Sequence, residues 1–424
     1  MGEHFKYENS DLRKNIDMKT LKYPISVYFK VTTKCMFNCE FCSQFGKDMK
    51  ELDINLAKAA FDELKELGIM NIYYTGGEPL LYKDIEELLK YGYNLGFKQI
   101  LVTNGYLLSE PRIRELTKYL VSIGVSIHGN AEIHNELSRK DCYKQIVTSL
   151  RKLQKENTKL AININCTAID KNTNYENFRF LAELCKENNW KLTIARLNYI
   201  GNGKKYENTN LNIMLGIISR LNNEGFNIKI SNCIAPCLVD EKYRYLSHGC
   251  GAGQSIAAIE ANGDVKICAS SDYVLGNIKQ EKFKNIWNCK ENKTYQKMKW
   301  LPMECKVCKY FLICKGGCKA ELTGEYWKDF CDELVQKRFD NIWKEIENKK
   351  LVLNFKNLRK EKINHYATIS IPYRICNKET AEILKMIDGK TTTKEIIGRM
   401  PRYSEKIKNL LIALKADNLI DIIK

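Results

Sequence analysis

A chain of 424 residues, with 44% hydrophobic side chains spread along its length, is long enough for two or three domains with cores of their own. Its net charge of +17 comes from many scattered lysines with acidic residues nearby, the pattern of a solvated surface. No aromatic RNA-binding signature accompanies that charge, so no nucleic acid partner is expected. No run approaches the roughly 18 apolar residues of a membrane span, and the start "MGEHFKYENSDLRK" is too charged for a signal peptide. A soluble, cytoplasmic protein without a membrane partner is expected. Seventeen cysteines in that compartment argue for metal or cluster binding, because cytosolic thiols stay reduced unless a metal claims them.

Residues 1–230 read as an α/β unit. Strands are predicted at 25–32 ("ISVYFKVT"), 70–75, 98–103, 124–127, 160–169 and 191–198, with amphipathic helices between them at 54–68, 84–96 and 175–189. Successive β-then-α units imply a parallel sheet with right-handed crossovers, flat or curled into a barrel. In either form the chemistry belongs beyond the carboxyl ends of the strands. From 231 to 345 the periodicity fades and ten of the cysteines crowd in, so metal ligation must replace part of the core. Residues 346–424 return to ordinary composition: short strands at "LVLNF" and "YATISI", then helices at "KETAEILKMID", "TKEIIGRM" and "SEKIKNLLIALKADNLI". That is the outline of a small α+β, winged-helix-like domain.

The stretch "KCMFNCEFC" follows the first strand and places Cys35, Cys39 and Cys42 on a loop at the functional end of the sheet. Structural zinc would want four closed ligands, and no nearby histidine completes such a set. Three thiolates on a 4Fe-4S cubane leave one iron open to something other than protein. The Cys-x3-Cys-x2-Cys spacing, with the aromatic Phe41 before the last cysteine, resembles the radical SAM superfamily. That resemblance implies a partial (β/α)6 TIM-type barrel in which S-adenosylmethionine (SAM) chelates the open iron and is cleaved to a 5′-deoxyadenosyl radical that abstracts a substrate hydrogen. It assigns "TGGEP" (Gly76, Gly77, Glu78) to the SAM amino group, and Ser126 and Arg139 of "VSIHGNAEIHNELSR" to the SAM carboxylate. Asn104 of "TNG" would line the same pocket. The family more often has Asp where His128 and Asn135 stand, so these two carry no assigned role, and His134 reads as structural.

Further on, "CGAGQSIAAIEANGDVKIC" has the form Cys-x12-Gly-x4-Cys, with "NGD" as a hairpin turn between two strands. "CKVCKYFLICKGGC" has the form Cys-x2-Cys-x5-Cys-x3-Cys, followed by Cys331. A zinc pair suits seven cysteines poorly. The arrangement is similar to the SPASM domain of peptide- and protein-modifying radical SAM enzymes. By that resemblance Cys305, Cys308, Cys314 and Cys331 close one auxiliary 4Fe-4S cluster, while Cys250, Cys268 and Cys318 hold three corners of another. Three 4Fe-4S clusters are therefore expected. For the last corner Cys237 is the first choice, Cys233 the second and an open iron the third. Cys142, Cys166, Cys185, Cys289 and Cys376 read as ordinary thiols.

Residues 374–400 resemble the leader-binding recognition module of ribosomally made peptide pathways, in which a leader peptide adds as a β-strand. With 15 Lys or Arg against 8 Asp or Glu, residues 351–424 carry 15 − 8 = +7, which suits an acidic leader. Auxiliary clusters can accept the electron left on a substrate radical, so the expected activity is an oxidative crosslink, thioether or carbon–carbon, in a precursor peptide. Flavodoxin or ferredoxin would supply the electron. A sulfatase-maturase-like oxidation of Cys or Ser and a DNA-binding iron–sulfur regulator are the alternatives. No catalytic acid or base stands out.

Overall fold

The computed structural model describes residues 21–44, 48–198, 200–206, 210–296, 310, 314–318, 343–353, 383–416 and 420–423. Cys305, Cys308, Cys331, Cys376 and the "YATISI" segment lie outside them.

Strands β1 (Ser26–Thr32), β2 (Asn71–Gly76), β3 (Lys98–Thr103), β4 (Ser122–Ser126), β5 (Ala161–Ala168), β6 (Lys191–Arg196) and β7 (Ile228–Ile230) pair in chain order, all parallel. The helices α1 (Ile54–Glu66), α2 (Ile85–Asn94), α3 (Pro111–Leu116), α4 (Ala131–Ser138), α5 (Tyr143–Glu156), α6 (Tyr175–Glu187) and α7 (Leu211–Asn223) lie between them in sequence. Six strands match the sequence reading to within a few residues. The three-residue β7 is too short to show a period.

Alternation along each strand decides what faces the helices and what faces inward. In β1, Val27, Phe29 and Val31 are fully buried and join Phe61 and Leu64 of α1 in the main core. In β5, "AININCTA", the buried Ile162, Ile164, Cys166 and Ala168 alternate with half-buried Asn163, Asn165 and Thr167. The second set faces the interior of the sheet's curve, where Thr193 donates to Asn163 Oδ1 at 3.0 Å. The arc therefore encloses an open lumen, with polar side chains along β5, in place of a packed barrel core.

The cysteine-rich region is bound into the same sheet. β8 (Ile256–Ile259) pairs parallel with β1, and β9 (Asp264–Lys266) and β10 (Val274–Asn277) extend it antiparallel, giving the order β10-β9-β8-β1-β2-β3-β4-β5-β6-β7. The predicted "NGD" turn joins β8 to β9, with Gly263 at φ +93°. A buried ion pair rivets the junction: Lys30 Nζ of β1 lies 2.7 Å from Glu260 Oε1, which also faces Lys266 Nζ at 3.4 Å. Burying these charges is tolerable only because they are paired, and removing one partner would strand the other. α8 (Phe283–Trp287) returns to α1, burying Phe283 and Trp287, and α9 (Lys290–Gln296) follows.

A separate core belongs to the C-terminal region, where β11 (Lys350–Leu353) lies between β12 (Asp388–Thr392) and β13 (Ile420–Ile423), all antiparallel. α10 (Thr393–Arg399) opens with a capping box between Thr392 and Glu395, and α11 (Ser404–Ala416) supplies Ile407, Leu411 and Leu414 to the core. Asp388 accepts the N–H groups of Lys390 and Thr391, both at 2.8 Å, which pins the start of β12.

Among the described residues no helix is long and apolar enough to cross a membrane. The α1–α8 junction is testable. Glu63 on α1 accepts the N–H groups of Phe283 and Lys284, each at 2.8 Å, satisfying two orphan donors at the start of α8. Glu63→Ala should cost about 1–2 kcal/mol, read as a lower urea midpoint of unfolding.

Candidate active site

The Cys35–Cys42 loop leaves the end of β1 and is held at several backbone points. Glu40 N–H donates to Leu137 O at 3.1 Å, and Asn202 N–H to Cys42 O at 3.0 Å. The Glu40 side chain accepts from Tyr206 at 2.8 Å and from Lys171 at 3.1 Å, with Arg139 Nη2 at 3.9 Å. Burial alone would raise its pKa, but the Tyr206 and Lys171 hydrogen bonds and the two cations outweigh it and hold the carboxyl below its ordinary value. The loop thus carries a fixed anion on its outer side while its thiols face inward.

Beside it the end of β2 presses against β1. A Cβ on Gly76 would stand 2.2 Å from Thr32 O, and one on Gly77 2.2 Å from Lys34 O, so no other residue fits at either position without moving backbone. The contacts are used: Gly77 N–H donates to Thr32 O at 2.8 Å and Glu78 N–H to Lys34 O at 2.7 Å. Both glycines line the cavity, as the sequence reading expects.

The side chain of Glu78 does not line the cavity. It is fully buried and accepts from Thr103 Oγ1 at 2.7 Å, Asn104 N–H at 2.8 Å and Leu80 N–H at 3.1 Å. Burial raises its pKa to about 7 although all three bonds oppose that rise. Its carboxyl therefore braces the "TNG" turn. Asn104, so placed, does line the cavity and turns its Nδ2 toward Met36 Sδ at 3.2 Å and Cys35 Sγ at 3.9 Å. Ser126 also lines the cavity. Arg139 does not: it caps α4 with φ +54°, and its side chain is 55% exposed beside Glu40, so its expected place at the SAM carboxylate is not where the fold puts it. Phe41 packs on Leu137, Ile169 and Leu197 and meets His128 edge-on at 4.8 Å.

One cavity of about 2420 Å³ runs through the arc and is lined by Cys35, Cys39 and Cys42 and also by Cys233, Cys250, Cys268 and Cys318. The two cysteine fields, some 200 residues apart in sequence, thus share one space. Cys233 is buried, within hydrogen-bonding reach of both Cys250 and Cys318, and these contacts, reinforced by burial, push its thiol well up. Burial and then the neighbouring Cys250 and Cys318 push Cys268 to about 12. Cys237, the first choice from sequence for this group, is exposed on a short turn and does not line the cavity. Cys314 is buried. Cys142, Cys166 and Cys185 are buried thiols, as expected for ordinary core cysteines.

Sequence reasoning overlooked several cavity residues, among them Asn163, Asn165, Thr193, Arg196 and Asn198. The period-2 polar positions of β5 were a readable signal for the asparagines. Nothing local marks Arg196, whose Nε reaches Cys233 O at 3.5 Å across a sequence gap of 37 residues.

Thiols that gather without carboxylate or imidazole partners suit iron–sulfur ligation. Among the described residues no three His, Cys, Asp or Glu side chains converge as a single metal ion would require. A cubane spreads its thiolates over separate iron corners, and both cysteine groups surround open space in that way.

Residues 29–187 match the radical SAM superfamily, and residues 250–309 match SPASM, an iron–sulfur cluster-binding domain. The chain is a radical SAM enzyme with a SPASM domain. Its similarity to individual proteins is distant. It is 24% identical over 352 residues to the Fe-coproporphyrin III synthase of Methanosarcina barkeri, covering 74% of this chain and 87% of that one. It is 24% identical over 325 residues to the PqqA peptide cyclase of Bradyrhizobium diazoefficiens, covering 72% of this chain and 85% of that one. Its fold resembles that of Streptococcus suis SuiB bound to S-adenosylmethionine, at a TM-score of 0.62 and 19% identity, over 74% of this chain and 76% of that one. SuiB has also been crystallised with its precursor peptide SuiA. The radical SAM domain uses SAM with a 4Fe-4S cluster, and the SPASM domain adds auxiliary clusters. A non-enzymatic regulator is thereby set aside.

The bracing role of Glu78 predicts a particular failure. In Glu78→Gln the amide nitrogen must face an N–H or hydroxyl donor, leaving a buried group unsatisfied at a cost of about 1–3 kcal/mol. A lower melting temperature and weaker SAM binding are expected together, because Asn104 and Cys35 depend on the same turn.

Proposed function

We propose that this radical SAM enzyme matures a ribosomally made precursor peptide by installing an oxidative crosslink, thioether or carbon–carbon. The observation that carries this reading is the single cavity walled by both cysteine fields. Its volume of about 2420 Å³ exceeds the roughly 300–1,000 Å³ of a typical small-molecule site, leaving room for a peptide segment beside SAM. Cys35, Cys39 and Cys42 would hold the 4Fe-4S cluster that, with SAM, supplies hydrogen abstraction. Bond formation at a substrate radical releases a proton and one electron, and a cluster held by the second group of cysteines would supply an acceptor for that electron. The PqqA peptide cyclases among the relatives, and SuiB with its bound SuiA, lend support from the peptide side.

Cys233, in place of Cys237, is the fourth ligand with Cys250, Cys268 and Cys318. Cys305, Cys308, Cys314 and Cys331 remain the proposed set for a second auxiliary cluster. The C-terminal domain supports a leader-binding role through its form: β12 and β13 are the outer strands of its described sheet, and an extended peptide pairs with such an edge through main-chain hydrogen bonds. A flavodoxin or ferredoxin is the proposed electron source.

Three measurements test this. Reconstituted enzyme with SAM, reductant and the precursor peptide encoded beside it should lower the peptide mass by a pair of hydrogens; an unchanged peptide with intact clusters would sink the crosslinking reading. Removing residues 346–424 should abolish turnover of the full precursor, whereas unchanged turnover would favour a sulfatase-maturase-like oxidation that needs no leader. Cys233→Ala should lose one cluster's worth of iron and Cys237→Ala none, by iron and sulfide analysis of the reconstituted protein.

A further inference from the structure

His128 stands two residues beyond Ser126, where β4 opens into the cavity, and only 4% of it is exposed. Its surroundings fix both the ring orientation and the tautomer. Thr167 N–H donates to His128 Nδ1 at 3.2 Å, so Nδ1 must carry the lone pair and the ring proton must sit on Nε2. A flipped ring would set a C–H against the Thr167 N–H and waste a buried donor. The main chain around His128 is equally committed. Its N–H donates to His134 Nδ1 at 3.3 Å, and its carbonyl accepts from Asn172 and Asn177, each at 3.0 Å. His134 is fixed in turn, with Nε2 facing Cys142 Sγ at 3.4 Å. Thr167, His134, Asn172 and Asn177 thus engage every polar group of His128 except Nε2, which has no hydrogen-bond partner among the described residues.

Aromatic rings flank that imidazole. The Phe41 ring meets the imidazole edge-on, His134 stacks on it at 5.6 Å, and Leu197 and Ile169 pack against Phe41. Such a surface, with a single neutral N–H, suits a planar heteroaromatic ring that offers π faces and ring-nitrogen acceptors. A single neutral N–H offers no counter-charge to an ammonium or a carboxylate. Burial, helped by His134, holds the His128 pKa at about 3, so the imidazole stays uncharged and does not oppose a cationic sulfonium nearby.

We propose that His128 is a SAM-binding residue that donates its Nε2–H to the adenine ring of the cofactor. The proposal rests on the reading that SAM occupies this cavity. It gives a role to the one residue in the "VSIHGN" segment that departs from the acidic residue common in the family.

Two substitutions separate the cavity donor from the structural bond. In His128→Asn the amide oxygen can take the place of Nδ1 and keep the Thr167 hydrogen bond, while the amide nitrogen stops short of the Nε2 position. His128→Gln does the reverse. Binding of SAM and of 5′-deoxyadenosine to the reconstituted full chain is measured by equilibrium dialysis, with iron content and melting temperature as controls. His128→Asn is expected to keep iron and melting temperature but to bind both ligands about tenfold more weakly, with His128→Gln retaining more affinity than His128→Asn. Wild-type affinity in His128→Asn would overturn the proposal, as would weaker SAM binding with unchanged 5′-deoxyadenosine binding, which would move the contact to the methionyl end. A loss of iron or melting temperature in His128→Asn with full affinity in its folded fraction would make the residue structural only. Failure of the wild-type chain to bind SAM would instead refute the underlying reading of the cavity.

Discussion

The site depends on one steric constraint: the end of β2 lies so close to the end of β1 that no side chain fits between them. Gly76 and Gly77 let the two backbones touch, and the N–H groups of Gly77 and Glu78 then bond to Thr32 and Lys34, the root of the cysteine loop. Glu78 enters the protein at the same point and is buried because its backbone is held there. Its carboxyl collects the donors of Thr103, Asn104 and Leu80, which carries the register from β2 to the turn after β3. A contact that reads locally as a glycine turn therefore sets the position of three successive strand ends around one cavity.

A second constraint brings the cysteine-rich region to that cavity. β8 pairs parallel with β1, the strand that also leads to Cys35, and the buried Lys30–Glu260 pair ties the two. Because β8 lies between Cys250 and Cys268, one pairing fixes both thiols relative to the first loop. Shared use of β1 brings the two cysteine fields to one cavity without a flexible linker between them.

The electrostatics of the cavity follow from what each wall excludes. On the outer side of the first loop Glu40, Lys171 and Arg139 neutralise one another. Along β5 and the end of β4 the inner wall presents asparagine, serine, threonine and a neutral histidine, which can hydrogen-bond a ligand without adding charge, and Arg196 adds a cation farther along it.

Much of this was legible in the chain. The spacing of Cys35, Cys39 and Cys42, the period-2 strands and the glycines of "TGGEP" are local features, because each rests on neighbours within a few residues. The core strands accordingly appear at the predicted places. Roles that depend on direction were not legible: Glu78 and Arg139 sit in family-like positions yet point to Thr103 and to Glu40. The choice between Cys233 and Cys237 was likewise beyond sequence, since both stand on the same irregular segment and differ only in which one faces Cys250 and Cys318. The sequence by itself determined the chemistry available: thiols in two fields, an α/β frame and a cofactor loop. Tertiary structure alone decided that the two fields share a cavity and which thiols and imidazoles face it, because those outcomes depend on strand pairings between residues more than two hundred positions apart.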